Sequence, residues 1–356
     1  MKKFYIVILL ATVVITFTQF NCKSPTAPKG SNPPDTTSNN FTFQSFTFGA
    51  SNAGSSHLSD VAIVSDTDIW CVGAVYLDSA DGAPDPFPYS AVHWDGKSWE
   101  LKKIIVSFRG NQIVTPIDGI YAFSSSDIWL MATDPIHGDG TNWTDYDIRT
   151  IIGNNEITIS KGWGTNSNSM NFVGRSGNVV SYTNGVWQKI ESGTTLDITD
   201  IWGSDNPSQI LAVANDLSGA TLHTAIIQIK DNTANVISSY PVFYPLTAVW
   251  FVPNQHYYVG GSGLYEKHML SDSLWKNGVY DITQYYVTAI RGNSVNDVFV
   301  SGSYGELLHW NGVRWKSFMN ETALSSGAYG AIAVKGNLVV AVGLDSGKAV
   351  ILVGKR

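Results

Sequence analysis

One stretch of the chain decides the fold: VTAIRGNSVNDVFVSGSYGELLHWNGVRWKSF, from Val287 to Phe318. It divides into four short runs rich in β-branched and aromatic residues, and residues that favour turns separate the runs. The clearest turn is Asn311-Gly312, because a two-residue hairpin needs two positive φ angles and Asn-Gly adopts them readily. The segment therefore predicts one antiparallel sheet of four short strands.

The same pattern recurs through most of the chain. The second strand of each unit is predicted to begin at Asp68, Asp127, Ser169, Gln209, His256, Asp297 and Leu338. These positions are 45 residues apart on average, and a Gly or Ala stands five residues after each of them, where backbones are expected to crowd. Four strands per unit at this period are typical of propeller blades. We therefore predict an all-β, seven-bladed β-propeller.

The ends of the repeat region predict how the ring closes. The last unit has no outer strand of its own, whereas FTFQSFTF, from Phe41 to Phe48, precedes the first unit without a partner. We expect this N-terminal strand to complete the last blade. Its alternation of apolar and polar residues breaks at Gln44-Ser45, which predicts a bulge or a bend there.

The best-preserved units carry a recognisable motif. SDTDIWCVG is followed by HWDGKSW in the first unit, and NSVNDVFVSG by HWNGVRW in the sixth. These units resemble the kelch and neuraminidase-like repeats of bacterial exported propellers over about residues 41–356, with units two and four degenerate. The resemblance implies the propeller fold and leaves the function open, since propellers support many functions. The Asp-box of sialidases, SxDxGxTW, is not found, which argues against sialidase activity.

The N-terminal residues predict export and anchoring. Residues 1–21 combine Met1-Lys2-Lys3 with an apolar run, as in a signal peptide. Cys22 then resembles a bacterial lipoprotein acylation site, and residues 22–40 form a linker rich in Pro, Ser and Thr. Residues 41–356 are the propeller. We expect an outer-membrane or cell-surface lipoprotein that faces the periplasm or the exterior, with Cys71 as a small buried apolar residue.

Composition and motifs exclude several functions. The net charge of −7 and the absence of a basic run argue against nucleic acid as a partner. No HExxH, GxSxG, P-loop or Cys/His metal spacing occurs, and no cofactor is expected. Glycosidase chemistry needs two facing carboxylates. Asp118, Asp200 and Glu266 are conceivable, but no pair stands out. The matched positions of His93 and His309 favour a structural role.

Two segments are interpreted as insertions between the second and third strands of the first two units, Leu77–Tyr89 and Thr133–Asp147. Insertions in repeat proteins often form a binding face. The candidate ligand-binding residues are Asp81, Asp85, Tyr89, Asp139, Trp143, Asp145 and Tyr146. Their oxygens could hold Ca²⁺, although neither segment fits a calcium-loop pattern.

These observations leave three functional hypotheses. The first is a lipid-anchored, monomeric propeller that binds an envelope protein or a glycan through the inserted loops and contacts the membrane through its N-terminal lipid. The alternative is a propeller-type polysaccharide hydrolase or lyase. The third is a purely structural part of an envelope assembly. A buried carboxylate pair would favour the enzyme, and an exposed aromatic patch would favour binding.

Overall fold

The structure, a computed structural model, describes residues 36–50, 54–79, 81–204, 209–216, 223–278 and 283–356. The predicted signal peptide, Cys22 and most of the predicted linker lie outside the described residues. Thr36–Arg356 forms one unit by internal contacts, so it begins five residues before the predicted propeller boundary.

Seven antiparallel sheets of four strands follow one another along the chain. Blade 1 contains β2 (His57–Ser65), β3 (Asp68–Val75), β4 (Tyr89–Trp94) and β5 (Trp99–Lys102). Blade 2 contains β8 (Gly119–Ser124), β9 (Asp127–Met131), β10 (Pro135–Gly138) and β11 (Trp143–Asp145). Blade 3 contains β12 (Lys161–Asn166), β13 (Ser169–Val173), β14 (Asn178–Thr183) and β15 (Val186–Glu191). Blade 4 contains β16 (Asp197–Ser204), β17 (Gln209–Asp216), β18 (His223–Lys230) and β19 (Thr233–Ile237).

The remaining blades complete the ring. Blade 5 contains β20 (Leu246–Val252), β21 (His256–Gly261), β22 (Gly263–Lys267) and β23 (Lys276–Asn277). Blade 6 contains β24 (Val287–Ser294), β25 (Asp297–Gly302), β26 (Leu307–Trp310) and β27 (Trp315–Ser317). Blade 7 contains β28 (Gly327–Lys335), β29 (Leu338–Asp345), β30 (Lys348–Lys355) and the N-terminal β1 (Thr42–Phe48). The prediction of a seven-bladed all-β propeller is confirmed, and all seven second strands begin where the repeat predicts.

Short elements join some blades. The hairpin of β6 (Ile105–Phe108) and β7 (Asn111–Val114) lies between blades 1 and 2 in sequence. Helix α1 (Ile148–Ile152) follows blade 2, and helix α2 (Met319–Thr322) follows blade 6. A single 3₁₀ turn covers Arg175–Gly177. In the part of the chain that the structure describes, no helix has the length and apolar character to span a membrane.

The small residues near the end of each second strand have a local steric cause. A Cβ atom added at Gly261 would lie 2.0 Å from the carbonyl oxygen of Pro245, and one at Gly343 would lie 1.9 Å from that of Ala328. In both blades the first strand bulges beside the glycine and pushes its backbone close. The predicted crowding is therefore present, and at these glycines it arises from the backbone of the same blade.

The N-terminal strand closes the ring as predicted. β1 pairs with β30 in a continuous antiparallel register from Thr42–Lys355 to Phe48–Ala349. The predicted bulge at Gln44-Ser45 is wrong, because both faces of this outer strand are covered. Phe43 packs with the cluster between blades 6 and 7, whereas Phe46 packs with the cluster between blades 7 and 1. A strand buried on two sides does not need strict alternation.

The two ends of the described chain meet at blade 6. The Thr37 hydroxyl donates to the carbonyl of Asn296 at 2.7 Å, and Asn39 Oδ1 lies 2.6 Å from His309 Nδ1. The guanidinium of Arg356 holds both carboxylate oxygens of Asp297. We call these six residues the terminal clasp.

Aromatic side chains fill the space between blades. Trp129 and Phe299 are each 1% exposed, and Trp70 is 4% exposed, so these second-strand aromatic residues belong to the core. Cys71 is also fully buried, as predicted, and burial raises the pKa of its thiol.

Candidate binding face

The strand order assigns every loop to one of two faces. Loops that join second to third strands and loops that join one blade to the next lie at the end where the first strands begin, which we call the upper face. Hairpin turns between first and second strands and between third and fourth strands lie at the lower face. This division follows from antiparallel four-stranded sheets around one axis.

The predicted loop of blade 1 lies on the upper face, but its acids are held locally. Asp81 accepts the backbone N–H of Ala83 at 3.1 Å. Asp85 accepts the N–H of Phe87 at 2.9 Å and pairs with the Lys103 ammonium at 2.6 Å, and these contacts hold its pKa below the usual value. The Lys103 ammonium also lies 4.9 Å from the centre of the Tyr89 ring.

The second predicted insertion is wrong. Residues 133–147 contain the third and fourth strands of blade 2, β10 and β11, together with their turn. His137-Gly-Asp139-Gly-Thr-Asn-Trp143 is the HW(D/N)GxxW motif with Gly in place of its first Trp. The extra length between the second strands of blades 1 and 2 comes from the blade 1 loop and the β6–β7 hairpin instead.

This correction moves two candidate residues to the lower face. Asp139 accepts the backbone N–H groups of Thr141 and Asn142 at 2.9 and 2.6 Å, so it is a turn residue. The Trp143 ring is 6.1 Å from that of Trp70 and packs with the cluster between blades 1 and 2. The structure therefore does not bring Asp139 and Trp143 together with Asp81 and Asp85.

Tyr146 and Asp145 lie at the upper end of blade 2. The Tyr146 ring packs against Trp187 and Trp129, at 5.3 and 5.6 Å between ring centres. Burial, together with the negative charges of Asp134 and Asp147, raises the pKa of Asp145 to about 6, although Arg149 opposes this rise. Tyr146 is thus a packing residue.

The neighbouring carboxylates are neutralised by arginines. Asp134 pairs with Arg149 at 2.8 Å, and Asp147 pairs with Arg109 at 3.0 Å. The hydrogen bond from Arg109 is the main cause that lowers the pKa of Asp147 to about 2. Within the ranges described above, no three His, Cys, Asp or Glu side chains come together as a metal site.

Four blades contain a histidine–carboxylate pair. His93–Asp68, His137–Asp127 and His309–Asp297 join the third strand to the start of the second, and His256–Glu266 is the same pair with its residues exchanged. Each imidazole stacks on the aromatic residue of the second strand, with ring centres 4.1 to 4.4 Å apart. The repeated geometry indicates that these pairs fasten strands within blades.

One pair has a serine beside it. Ser167 Oγ lies 2.6 Å from Asp127 Oδ1 and 3.1 Å from His137 Nε2, while that same Nε2 lies 2.9 Å from the carboxylate. A catalytic triad needs the acid on the other ring nitrogen of the histidine. The Ser167 hydroxyl also accepts the indole N–H of Trp129, so the group joins the first turn of blade 3 to blade 2.

The acids considered for glycosidase chemistry are not paired with each other. Asp200 receives two hydrogen bonds from the Arg291 guanidinium, at 2.8 and 3.0 Å, in a central channel with a cavity of about 200 Å³. Glu266 is held by His256 at 2.8 Å. Burial raises the pKa of Asp118, against the charges of Lys161 and Arg175.

Exposed aromatic residues concentrate on the other side of the upper face, on the loops of blades 5 and 6. Phe243 and Tyr244 are 65% and 51% exposed, and Tyr304 is 52% exposed. The rings of Tyr285 and Tyr304 are in contact, with centres 5.6 Å apart. We call Phe243, Tyr244, Tyr285 and Tyr304 the aromatic arc.

Hydrogen bonds place these residues on consecutive loops. Ser262, in the tight turn of blade 5, donates to the carbonyl of Pro245, the residue after Tyr244. Ser303 donates to the carbonyl of Tyr286, the residue after Tyr285, and Tyr304 itself donates to that of Gly327. The arc therefore follows the upper rim from blade 5 to blade 7.

Tyr304 occupies a backbone conformation that aromatic residues rarely adopt. Its φ is +59° and that of Gly305 is +89°, which suits a tight turn with two left-handed residues. Equivalent turns in blades 3 and 7 hold Ser176-Gly177 and Ser346-Gly347. The turn itself therefore needs no tyrosine, and Asn would fit it better. A strained residue with an exposed aromatic ring is a candidate contact residue.

Sequence reasoning missed the arc, although a signal was present. The loops SSYPVFYP (238–245), TQYY (283–286) and GSYG (302–305) contain no charged residue, and they hold five of the chain's 16 Tyr residues. Loop length, the criterion used on the sequence, favoured the loop of blade 1. Aromatic residues in uncharged loops were the better indicator of an exposed surface.

Comparison with known proteins supports the fold. No known family matches the sequence, and no curated protein is similar to it. Among solved structures, YCF48 bound to D1 peptide superposes with a TM-score of 0.65 at 12% identity, covering 91% of this chain and all of that one. The WD40 propeller domain of Doa1 gives 0.60 at 11% identity, covering 88% and 97%.

A third neighbour is YCF48 from Cyanidioschyzon merolae, with a TM-score of 0.59 at 14% identity over 86% of this chain and 98% of that one. Identities this low establish likeness of fold alone. The class of this protein is therefore the seven-bladed β-propeller.

Proposed function

We propose that this protein is a polypeptide-binding scaffold that uses the aromatic arc as its contact surface. The observation that carries the proposal is Tyr304, an exposed aromatic side chain in a left-handed turn position that the fold fills with Ser elsewhere. Exposed Tyr and Phe side chains supply large contact areas at low entropic cost. One neighbour of the same fold was solved with a peptide bound, and WD40 propellers share the architecture.

The chemistry of the arc indicates an uncharged partner segment. Its three loops, residues 238–245, 283–286 and 302–305, contain no Asp, Glu, Lys or Arg. The nearest acid in sequence, Glu306, is 3% exposed and accepts the Ser317 hydroxyl at 2.7 Å. An apolar or aromatic segment of another polypeptide matches such a surface, because a charged group would lose water there without gaining a counter-charge.

The finer proposal is that a lipid on Cys22 anchors the protein in the bacterial cell envelope. The signal-like segment and the Pro/Ser/Thr linker support it. Thr37 contacts Asn296 and Asn311 in lower-face turns, on the face opposite the arc.

A peptide-display selection tests the proposal. The purified full chain is used to select 12-residue peptides, and selected peptides are measured by fluorescence anisotropy against the wild type and Tyr304→Asn. We expect binding that Tyr304→Asn weakens about tenfold, the typical loss at an aromatic contact. Ser176→Asn, which makes the same turn substitution in blade 3, is the matched control and should bind normally.

Two results would argue against the proposal. One is the absence of any peptide that binds the wild type, and the other is equal binding by Tyr304→Asn and wild type. A glycan array with the same three proteins tests the carbohydrate alternative, since aromatic rings also stack on sugars. Binding there, with loss in Tyr304→Asn, would assign the arc to glycans instead.

A further inference from the structure

An open depression of about 520 Å³ adjoins the aromatic arc, between blades 6, 7 and 1 on the upper face. Leu58, Tyr304 and Leu344 are among its lining residues, and Gly330, which is exposed, also lines it. Its volume is within the range of pockets that hold a ligand or an anchoring side chain. We call it the Gly330 depression.

Gly330 stands where other blades place a bridging threonine. In blades 4, 5 and 6 the bulge of the first strand holds Thr199, Thr247 and Thr288. Each hydroxyl donates to a backbone carbonyl of the following blade, at 3.4, 2.8 and 2.5 Å. The blade 7 bulge falls on Gly330, so no such bridge crosses from blade 7 to blade 1. The missing side chain leaves the depression open.

The fold does not demand glycine at this position. The φ of Gly330 lies outside the left-handed region, and a Cβ atom placed there would have no atom within 4 Å. Other glycines beside first strands are crowded, such as Gly343, where a Cβ would lie 1.9 Å from a carbonyl oxygen. Because Gly inside a strand weakens it, a glycine without a steric reason indicates that the space itself is used.

The lining of the depression contains no charged side chain, and its polar side chains are those of Ser303, Tyr304 and Ser326. The carboxylate of Asp345, next to the lining residue Leu344 in sequence, accepts the backbone N–H of Ser326 at 2.8 Å. A charged ligand group would therefore find no free partner among these lining residues. The lining suits an apolar side chain that loses water on entering.

We propose that the Gly330 depression is a specificity pocket that receives one uncharged aromatic or branched aliphatic side chain of the bound polypeptide. The inference rests on the proposed function and names the part of the partner that is recognised. Tyr304 borders both the arc and the depression, so it joins the two parts of the contact surface.

Two substitutions fill the depression without straining the backbone. Gly330→Thr introduces the residue that three other blades carry, and Gly330→Leu fills more of the space. We expect Gly330→Leu to weaken binding of the selected peptides by about tenfold or more, the order expected when one apolar side chain loses its pocket. Gly330→Thr should weaken it less. Gly278→Leu is the control, since Gly278 also has an ordinary φ and lies outside the depression.

Peptide chemistry provides a second readout. Replacing the conserved apolar residue of a selected peptide by Lys should weaken wild-type binding at least tenfold and leave the weak binding to Gly330→Leu almost unchanged. Raising NaCl from 50 to 500 mM should change the wild-type dissociation constant less than twofold, because no charge pair is involved.

The outcomes separate the inference from the proposed function. If peptides bind the wild type, bind Tyr304→Asn more weakly and bind Gly330→Leu normally, the proposed specificity pocket is wrong, whereas the proposed contact surface at the arc is supported. Selected peptides that are charged and release in salt would also refute the pocket. If no peptide binds the wild type, both proposals fail. Melting temperatures of all variants show whether a loss reflects unfolding, and Gly330→Thr supplies the binding measurement if Gly330→Leu does not fold.

Discussion

Replacing Asp297 with Asn should destabilise the protein more than the same change at any other histidine–carboxylate pair. The Asp297 and His309 side chains are 2% and 0% exposed, and Arg356 adds a two-point ion pair with Asp297. At Asp127 the equivalent pair is 31% exposed on both sides and has no arginine. The two sites thus differ in burial and charge while sharing one backbone geometry.

The expected magnitude follows from the surroundings of Asp297. Burial alone would raise its pKa, but hydrogen bonds from His309, Arg356 and Asn293 lower it to about 2. A shift of this size from the usual 3.8 corresponds to about 2 kcal/mol of folding free energy. Removing one partner of a buried pair costs about 3–5 kcal/mol, and the Arg356 side chain, which is 13% exposed, can turn towards water. We expect a loss of about 3 kcal/mol for Asp297→Asn and at most about 1 kcal/mol for Asp127→Asn.

Urea unfolding at pH 7 and at pH 3 measures both effects. A lowered folded-state pKa gives stability that is present above the unfolded value near 3.8 and is lost as pH falls towards 2. The difference in free energy of unfolding between wild type and Asp297→Asn should therefore become smaller between pH 5 and pH 2. Equal losses for Asp297→Asn and Asp127→Asn at pH 7, or a difference between wild type and Asp297→Asn that grows on acidification, would refute the reasoning.

Three further predictions concern separate parts of the molecule. Because burial and neighbouring acids raise the pKa of Asp145 to about 6, Asp145→Asn should stabilise the protein by about 1 kcal/mol at pH 7.5 and by almost nothing at pH 4, and a loss at pH 7.5 would contradict this. Tyr304→Asn should keep or raise the melting temperature while peptide binding falls, since Asn suits the left-handed turn; a lower melting temperature would make Tyr304 a structural residue. Cys22→Ser should move the protein from the detergent phase to the aqueous phase on Triton X-114 partition, and an unchanged distribution would count against the lipid anchor.

The blades were predictable because their repeat expresses local physics. Turn residues such as Asn311-Gly312 and the alternation of strand residues recur at a fixed period, so the second-strand starts were found without error. Blade 2 was misread because Gly138 replaces the first Trp of the motif. The Trp143 ring covers Gly138, where an added Cβ would lie 2.3 Å from a ring carbon, and it packs against Trp70 of blade 1. The contact between Trp143 and Trp70 joins two blades and has no signature in the local sequence.

The candidate site was predictable only in kind. Inserted loops that combine aspartates with aromatic residues were expected, and loop length pointed to Leu77–Tyr89. That loop exposes Phe87, but most of the exposed aromatic rings lie on the loops of blades 5 and 6. The terminal clasp could not be predicted from the sequence either, because Arg356 and Asp297 lie 59 residues apart and Asn39 and His309 lie 270 apart. Contacts of this kind depend on ring closure, which strand patterns do not report.

Residues that depart from a repeat carry information only where the fold does not explain the departure. Gly138 departs from the motif, but the Trp143 ring accounts for it. Glu266 and His256 exchange places relative to the other blades, but they make the same hydrogen bond. The fold does not explain Tyr304 or Gly330, because other blades form the same turn with Ser and the same bulge with Thr. In a protein whose sequence agrees with its local structure almost everywhere, the exceptions are expected at functional sites. Both exceptions border one depression, and this coincidence is the physical reason to look for the partner there.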